Sequence, residues 1–338
     1  MRTILRLATV AVVAVSALAV AANAFATQKL AVTQAGNSLT IKVTQTANDA
    51  QPARINIYVP TGYTLNTAQT AGTSIGTTSG QVFARDQNIP LPLTGNVVVD
   101  DPAKYTASTC SPGTNQAVWL LNLSVAGQTL AIPVYVNPTS GAATGLGSAK
   151  LTVCLAPSDT PQGSPGRSPF GAQLLSATFT VNGVFTPAAG ASAWTSLWTP
   201  YAAGNGIPNA AGTVEARAFV GPGAVTITGV VTSKRKRTVQ IRGRVSYAGV
   251  GVVAATVRLL VNNKQRFSTS TASNGAYRFN LQKTARKKVT TFFQSRVVSA
   301  QRDVTTAGCS TPSVPGVSCV SATQGAFTVL SRKIKIRI

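Results

Sequence analysis

Residues 39–44, with the sequence LTIKVT, and residues 54–59, with the sequence RINIYV, alternate apolar and polar side chains. Successive side chains of a β-strand point to opposite faces of its sheet, so this period of two predicts strands that bury one face. Further runs of this kind, separated by Gly, Pro and Asn, lie at 116–125, 129–136, 149–155 and 174–181. Many short strands divided by turn residues predict an all-β chain built as sandwiches.

A second series of alternating runs follows Gly221-Pro222-Gly223, which we take as a domain boundary. Residues 225–231, 239–245 and 255–261 are predicted strands, and the sequence KIKIRI at 333–338 places Ile on one face and cations on the other. The sequence therefore predicts two β-sandwich domains, at 27–186 and 222–338. The segment between them, 187–221, is rich in Gly, Ala and aromatic residues and is predicted to be irregular, either a linker or the edge of the first domain.

A resemblance to a known family lies within the second predicted domain. Its pattern consists of Gly243-x-Val245, Ala255-x-Val257-x-Leu259 and Thr271-x-x-x-Gly275-x-Tyr277-x-Phe279. This pattern resembles the carboxypeptidase regulatory-like, transthyretin-like sandwich of bacterial surface proteins. The resemblance implies a hairpin shaped by the Thr and the Gly, a core packed by the aromatic pair, and a stalk, spacer or adhesive role without catalysis. The heavy cationic load and the loop between Cys309 and Cys319 depart from the family pattern.

The first residues predict export. A short positive region at 1–6 precedes a mainly apolar run of 16 residues at 7–22, and Ala24-Phe25-Ala26 supplies the small-x-small pattern that signal peptidase cleaves. We predict a signal peptide at 1–26 cut after Ala26, with a cut after Ala24 as the second choice. The alternative is a retained anchor, but a membrane-spanning helix needs roughly 20 apolar residues. The first cysteine is Cys110, so no lipid-acceptor cysteine stands at the cut.

Charge is distributed very unevenly along the chain. Residues 222–338 contain 20 Lys or Arg and a single acid, Asp303, whereas residues 27–221 contain 8 basic and 6 acidic residues. A domain this basic repels itself, and a polyanionic partner would relieve the repulsion. The alternative is that the charge serves solubility alone.

The candidate polyanion-binding residues fall into three groups in the second domain. They are Lys234, Arg235, Lys236 and Arg237; Arg286, Lys287 and Lys288; and Arg332, Lys333, Lys335 and Arg337. Export argues against a nucleic-acid partner, and Phe292 and Phe293 belong to an apolar strand pattern rather than a base-stacking platform. We therefore expect an anionic cell-wall polymer or an acidic polysaccharide as the partner, bound mainly by electrostatics.

The four cysteines of an exported chain predict two disulfides. Three pairings are possible, and we favour Cys110–Cys154 with Cys309–Cys319, which keeps each bridge inside one predicted domain. No two cysteines are two to four residues apart and the chain has no histidine, so neither a zinc site nor any other cofactor is predicted.

Few residues could perform catalysis. Without histidine a Ser-His-Asp triad cannot form, and the only adjacent acids are Asp100 and Asp101, which a glycoside hydrolase could use or which could cap a turn or bind a cation. Trp194, Trp198 and Tyr201 could form a carbohydrate-stacking platform, but we favour their packing on the core.

The sequence thus predicts a secreted, non-catalytic protein of the bacterial cell surface. Its basic second domain would contact anionic polymer. One alternative is a structural spacer without a ligand, and another is a polysaccharide-active enzyme that uses Asp100 or Asp101.

Overall fold

The structure is a computed structural model that describes residues 26–125, 127–187, 190–282 and 290–337. The predicted signal peptide, apart from Ala26, lies outside the described residues. Within them the fold is all-β, as predicted, with 25 strands and helices of at most five residues.

The first thirteen strands run from Lys29 to Val220. They are β1 (Lys29–Ala35), β2 (Ser38–Thr44), β3 (Pro52–Val59), β4 (Thr64–Leu65), β5 (Ser74–Ala84), β6 (Ile89–Asp100), β7 (Ala117–Val125), β8 (Gln128–Pro138), β9 (Ala149–Cys154), β10 (Ala172–Asn182), β11 (Phe185–Thr186), β12 (Ser192–Pro200) and β13 (Val214–Val220). Short 3₁₀ turns in the same part are Pro102–Tyr105, Gly141–Gly145, Pro169–Gly171 and Ala210–Gly212.

The remaining twelve strands complete the described chain. They are β14 (Gly223–Val225), β15 (Thr228–Ser233), β16 (Thr238–Tyr247), β17 (Val250–Gly251), β18 (Thr256–Val261), β19 (Lys264–Ser270), β20 (Ala276–Gln282), β21 (Thr290–Ser299), β22 (Arg302–Asp303), β23 (Ser318–Gln324), β24 (Phe327–Leu330) and β25 (Ile334–Arg337). A single helical turn, α1 (Thr305–Gly308), precedes β23.

The first sandwich is one long sheet folded over a single core. Its thirteen strands follow the order β1-β2-β10-β5-β6-β7-β8-β9-β3-β12-β13-β23-β22, and β1 at one edge packs against β13 and β23 near the other. Trp119, Trp194, Trp198 and Phe185 are fully buried between the layers, where Phe185 makes edge-to-face contacts with Trp119 and Trp194. Aromatic pairs of this geometry add to the stabilisation from burial alone.

The second sandwich consists of two five-stranded sheets. One contains β14, β16 and β15, with β17 and β20 also paired to β16, and the other contains β19, β18, β21 and β24, with β25 paired to β21. Ile241 and Leu259 are fully buried, one from each sheet, and belong to the same apolar core. Inward and outward positions alternate along the strands, as the sequence predicts.

The residues that carry the family resemblance occupy a hairpin and the core. The Thr271 hydroxyl accepts a hydrogen bond from the amide of Ala255 (2.8 Å) and donates to the carbonyl of Val252. Gly275 has a φ of 81°, a conformation that favours glycine. Tyr277 and Phe279 are buried. Membership of the family stays a prediction.

The segment 187–221 was predicted to be irregular. It instead contains strands β12 and β13, which lie in the long sheet between β3 and β23. Trp194, Ser196 and Trp198 stand at alternate positions of β12 and point into the core, so the preference for a core role is confirmed for both tryptophans. Tyr201 is half-buried, and its hydroxyl donates to the carbonyl of Leu155 at 2.7 Å.

Strand pairing also divides the C-terminal region differently from the prediction of one domain at 222–338. Strands β22 and β23 join the long sheet of the first sandwich, with β23 parallel to β13, before β24 and β25 return to the second sandwich. Residues 318–324 have the sequence SCVSATQ, whose small polar side chains hide the strand from an apolar pattern. The chain therefore crosses between the sandwiches three times.

The predicted disulfide pairing, Cys110–Cys154 and Cys309–Cys319, is confirmed. The second bridge closes a loop on the return segment rather than inside the second sandwich. Glu215, which is fully buried, accepts hydrogen bonds in this loop from the amide (2.8 Å) and hydroxyl (2.9 Å) of Ser313 and also pairs with Arg217. Arg217 donates in turn to the carbonyls of Gly308 (3.0 Å) and Thr311 (2.6 Å), so this buried ion pair fixes the disulfide loop against β13.

In the described parts of the chain, no helix combines the length and apolar character required to cross a membrane.

The closure of the first sandwich can be tested at Thr323, whose buried hydroxyl donates to the carbonyl of Leu30 at 2.6 Å. Thr323→Val keeps the shape but leaves that carbonyl without this donor, so we expect a loss of about 1–3 kcal/mol in the free energy of unfolding, measured by urea titration. Thr256→Val, at an exposed position of β18, is the matched control and should change stability by less than about 0.5 kcal/mol. Equal effects of the two substitutions would contradict the role given to this hydrogen bond.

Candidate polyanion-binding surface

The outer face of one sheet carries a cross-strand arginine pair. Arg242 on β16 lies directly opposite Arg278 on β20, and both side chains are exposed. Their sequence neighbours Ile241 and Phe279 are buried, so the alternation of the strands directs the arginines to solvent. Side chains directly opposite in antiparallel strands have Cβ atoms about 5 Å apart, a distance at which like charges destabilise the pair.

The other sheet repeats this arrangement. Arg258 on β18 lies directly opposite Arg296 on β21, and both are exposed while Leu259 and Val297 are buried. The sequence contains no Asp or Glu between 223 and 299 or between 327 and 338. The second sandwich thus presents opposed arginines on both outer faces and has no acidic side chain of its own to neutralise them.

A third group of cations lies at the end of the second sandwich farthest from the first. The turn 234–237 joins β15 to β16, and Lys335 and Arg337 lie opposite Phe292 and Thr290 at the start of β21. At the other end of β16, Tyr247 stacks on Phe327 with ring centroids 4.9 Å apart and reaches the junction at Gly325. Since β16 has ten residues, the basic end stands about 30 Å from the junction.

The predicted binding residues are brought together only in part. Those at 234–237, together with Lys335 and Arg337, share the basic end. Arg332 and Lys333 are exposed but lie before β25, next to the middle of β21. Arg286, Lys287 and Lys288 lie outside the described residues, between the end of β20 and the start of β21.

The prediction from the sequence missed the arginines of the strand faces. They are Arg242, Arg258, Arg278 and Arg296. The sequence does show that each is a single arginine within an alternating strand pattern, in the triplets IRG, VRL, YRF and SRV. Only the register, however, shows that they form pairs.

Asp100 and Asp101 have local structural partners. Asp100 accepts hydrogen bonds from the Lys104 ammonium (2.8 Å) and the Tyr105 hydroxyl (2.7 Å), and these bonds hold the pKa of Asp100 below its usual value. Burial, followed by the bond to Asp100, raises the pKa of Tyr105 to about 12. Asp101 caps the short 3₁₀ turn through the amide of Ala103 at 2.9 Å, which is the capping role considered for it. The described residues contain no group of three potential metal-ligating acids or cysteines.

Comparison with known proteins gives no match, either to a protein-family model or to a curated protein.

The arginine pairs predict a stabilising substitution. Arg278→Gln removes the charge opposite Arg242, so at about 10 mM salt we expect the free energy of unfolding to rise by about 0.2–1 kcal/mol. At about 1 M salt the Debye length is about 3 Å and the gain should disappear. Thermal unfolding at both salt concentrations measures the effect. The matched control is Arg54→Gln, whose cross-strand neighbours are Cys154 and Thr199; an equal gain there would contradict repulsion within the pair.

Proposed function

We propose that this is an exported, non-catalytic envelope protein whose second sandwich binds an anionic cell-wall polymer or an acidic polysaccharide. The observation that carries the proposal is the placement of opposed arginines on both faces, together with a cationic end, on a body without an acidic side chain. Such an arrangement costs stability in the free protein, and a polyanion that neutralises it recovers that cost. The resemblance to transthyretin-like modules of bacterial surface proteins favours the same role.

The absence of histidine and the local partners of Asp100 and Asp101 support the non-catalytic part of the proposal. Arg242 and Arg278 line a wide, open depression of about 700 Å³, and its described lining contains no carboxylate side chain. Binding of a long, repetitive polymer suits an open surface, because many weak contacts add along the chain.

Export is supported by two features besides the signal-like sequence. The two disulfides are typical of oxidising compartments. In addition, the backbone nitrogen of Thr27 lies 3.0 Å from Oδ1 of Asp49, whose side chain is buried. A cut after Ala26 would turn this nitrogen into an ammonium group, and its hydrogen bond to the carboxylate would become an ion pair.

The cleavage site can be checked directly. N-terminal sequencing of the exported protein should give Thr27 as the first residue, because only that cut places the new ammonium group against Asp49. A mature chain that begins at Phe25, the second predicted site, would contradict this assignment, and a chain that keeps Met1 would contradict export through a cleaved signal.

Polyanion binding can be tested with the full mature chain and polygalacturonate, with neutral dextran as the control polymer. Binding should occur to the first polymer only, and its affinity should fall steeply with salt as condensed counterions are released. Lys234→Ser combined with Arg235→Ser removes two exposed cations of the basic end and should lower the slope of log affinity against log salt by about one to two units.

The matched control is Lys42→Ser combined with Arg54→Ser, which removes one lysine and one arginine from exposed positions of the first sandwich. Its salt slope should equal that of the unaltered protein. An equal loss in both variants would show that net charge alone drives binding. If polygalacturonate and isolated cell walls both fail to bind, the proposal fails and a ligand-free spacer is preferred.

A further inference from the structure

The first sandwich contains a cavity of about 290 Å³ between its two layers. Four of its lining residues stand side by side across β2, β10, β5 and β6, in the order Val43, Ala177, Gly80 and Leu93. The opposite wall includes Ile55 and Val153, which are paired across β3 and β9. The two smallest residues of the row, Ala177 and Gly80, lie at its centre. A Cβ at Gly80 would collide with the carbonyl oxygen of Ser176, so that position carries no side chain and leaves space between the layers.

Among the described residues that line the cavity, none carries a charge, and no buried polar side chain is left without a partner. The buried polar side chains of its wall are Gln51, Thr78 and Ser168, and each is bonded within the protein. Gln51 accepts from the amide of Leu174 (3.0 Å) and donates to the carbonyl of Ala156 (3.1 Å). The hydroxyls of Thr78 and Ser168 donate to backbone carbonyls at 3.2 and 3.0 Å. Water in this space would lack partners, so an apolar occupant is favoured.

The cavity also has an entrance. Its wall includes the exposed residues Leu130, Ala131 and Pro169, and Leu130 is 38% exposed. Deeper in the wall, Val82 and Ile132 pack against the core and yet keep part of their surface accessible. The apolar lining is therefore continuous from the surface to the centre of the sandwich.

We propose that this cavity binds a single hydrocarbon chain of about a dozen carbon atoms. A protein cavity of about 150 Å³ accommodates benzene, with six carbons, and the cavity here has about twice that volume. Because the buried wall carries no charge, any polar head group stays at the entrance beside Leu130 and Ala131. The chain can belong to a free amphiphile or to a membrane lipid, since both present the same chemistry.

Binding of n-alkan-1-ols of increasing length to the full mature chain tests the proposal by calorimetry. Each added methylene should raise affinity about fourfold while the chain still enters the cavity. The rise should stop at about twelve carbons. Adsorption to the protein surface would instead increase with chain length without a break. Absence of saturable binding, or a rise without a break, would overturn the proposal.

Two substitutions should shift, in opposite directions, the chain length at which affinity stops rising. Ala177→Leu fills the centre of the cavity and should shorten the preferred chain by about three carbons, whereas Leu93→Ala enlarges the cavity and should lengthen it by about the same amount. Ala71→Leu makes the first change at an exposed turn and should leave the break in place. An unchanged break in a folded Ala177→Leu variant, or in Leu93→Ala if the first does not fold, would also overturn the proposal.

A second arm identifies the source of the chain. Co-sedimentation with phosphatidylcholine vesicles, compared between the unaltered protein and Ala177→Leu, detects a lipid-borne chain. If the unaltered protein binds vesicles and Ala177→Leu does not, the bound chain belongs to a membrane lipid. If the protein binds alkanols but not vesicles, the ligand is a free amphiphile. Binding of neither overturns the proposal, and because the cavity lies in the first sandwich, this failure would leave polygalacturonate binding unaffected.

Discussion

The first sandwich depends on a strand that the chain supplies only near its C-terminus. Strand β23 lies parallel to β13. Its Ser321 hydroxyl donates to the carbonyl of Gln28 and its Thr323 hydroxyl to that of Leu30, both at 2.6 Å. These carbonyls lie at or just before β1, the strand at one edge of the long sheet. Buried carbonyls need such donors. Because strands β14 to β21 lie between β13 and β23 in sequence, a chain that ends before the second sandwich lacks the strand that closes the first. The two bodies are therefore parts of one structure rather than separable modules, and binding experiments need the whole chain.

A few polar contacts hold the second sandwich to the first. Arg302 on β22 connects the two sandwiches, because it donates to the carbonyl of Val253 in the second and to Gln324 (3.4 Å) in the first. Asp303, the only acid after Glu215, pairs with Lys29 at 2.7 Å on the first sandwich. That exposed ion pair contributes little. Its position nevertheless means that the one carboxylate side chain of the C-terminal region is used at the junction, about 30 Å from the basic end.

Strand alternation made much of the fold predictable, whereas pairing did not follow from the sequence. The runs at 39–44 and 54–59 correspond to β2 and β3, since a half-buried strand must alternate. Strand β23 was missed because its inward side chains bond to carbonyls instead of packing in an apolar core, so it lacks the alternating pattern. The same limit applies to the binding surface. A run such as 234–237 is visible in the sequence, but Arg242 and Arg278 become a pair only through a register that spans 36 residues.

The opposed arginines connect binding to stability. Each lies outward on a strand whose inward residues form the core, so the second sandwich can accumulate charge without losing apolar burial. Repulsion between the opposed arginines lowers the stability of the folded state, because only there are their Cβ atoms held about 5 Å apart. Salt and a bound polyanion act on this same repulsion, the first by screening and the second by neutralisation. The stabilisation that a polyanion gives should therefore be largest at low salt and smallest where screening has already removed the repulsion. A ligand that instead fills the cavity of the first sandwich adds apolar contacts, and its stabilising effect should persist at high salt.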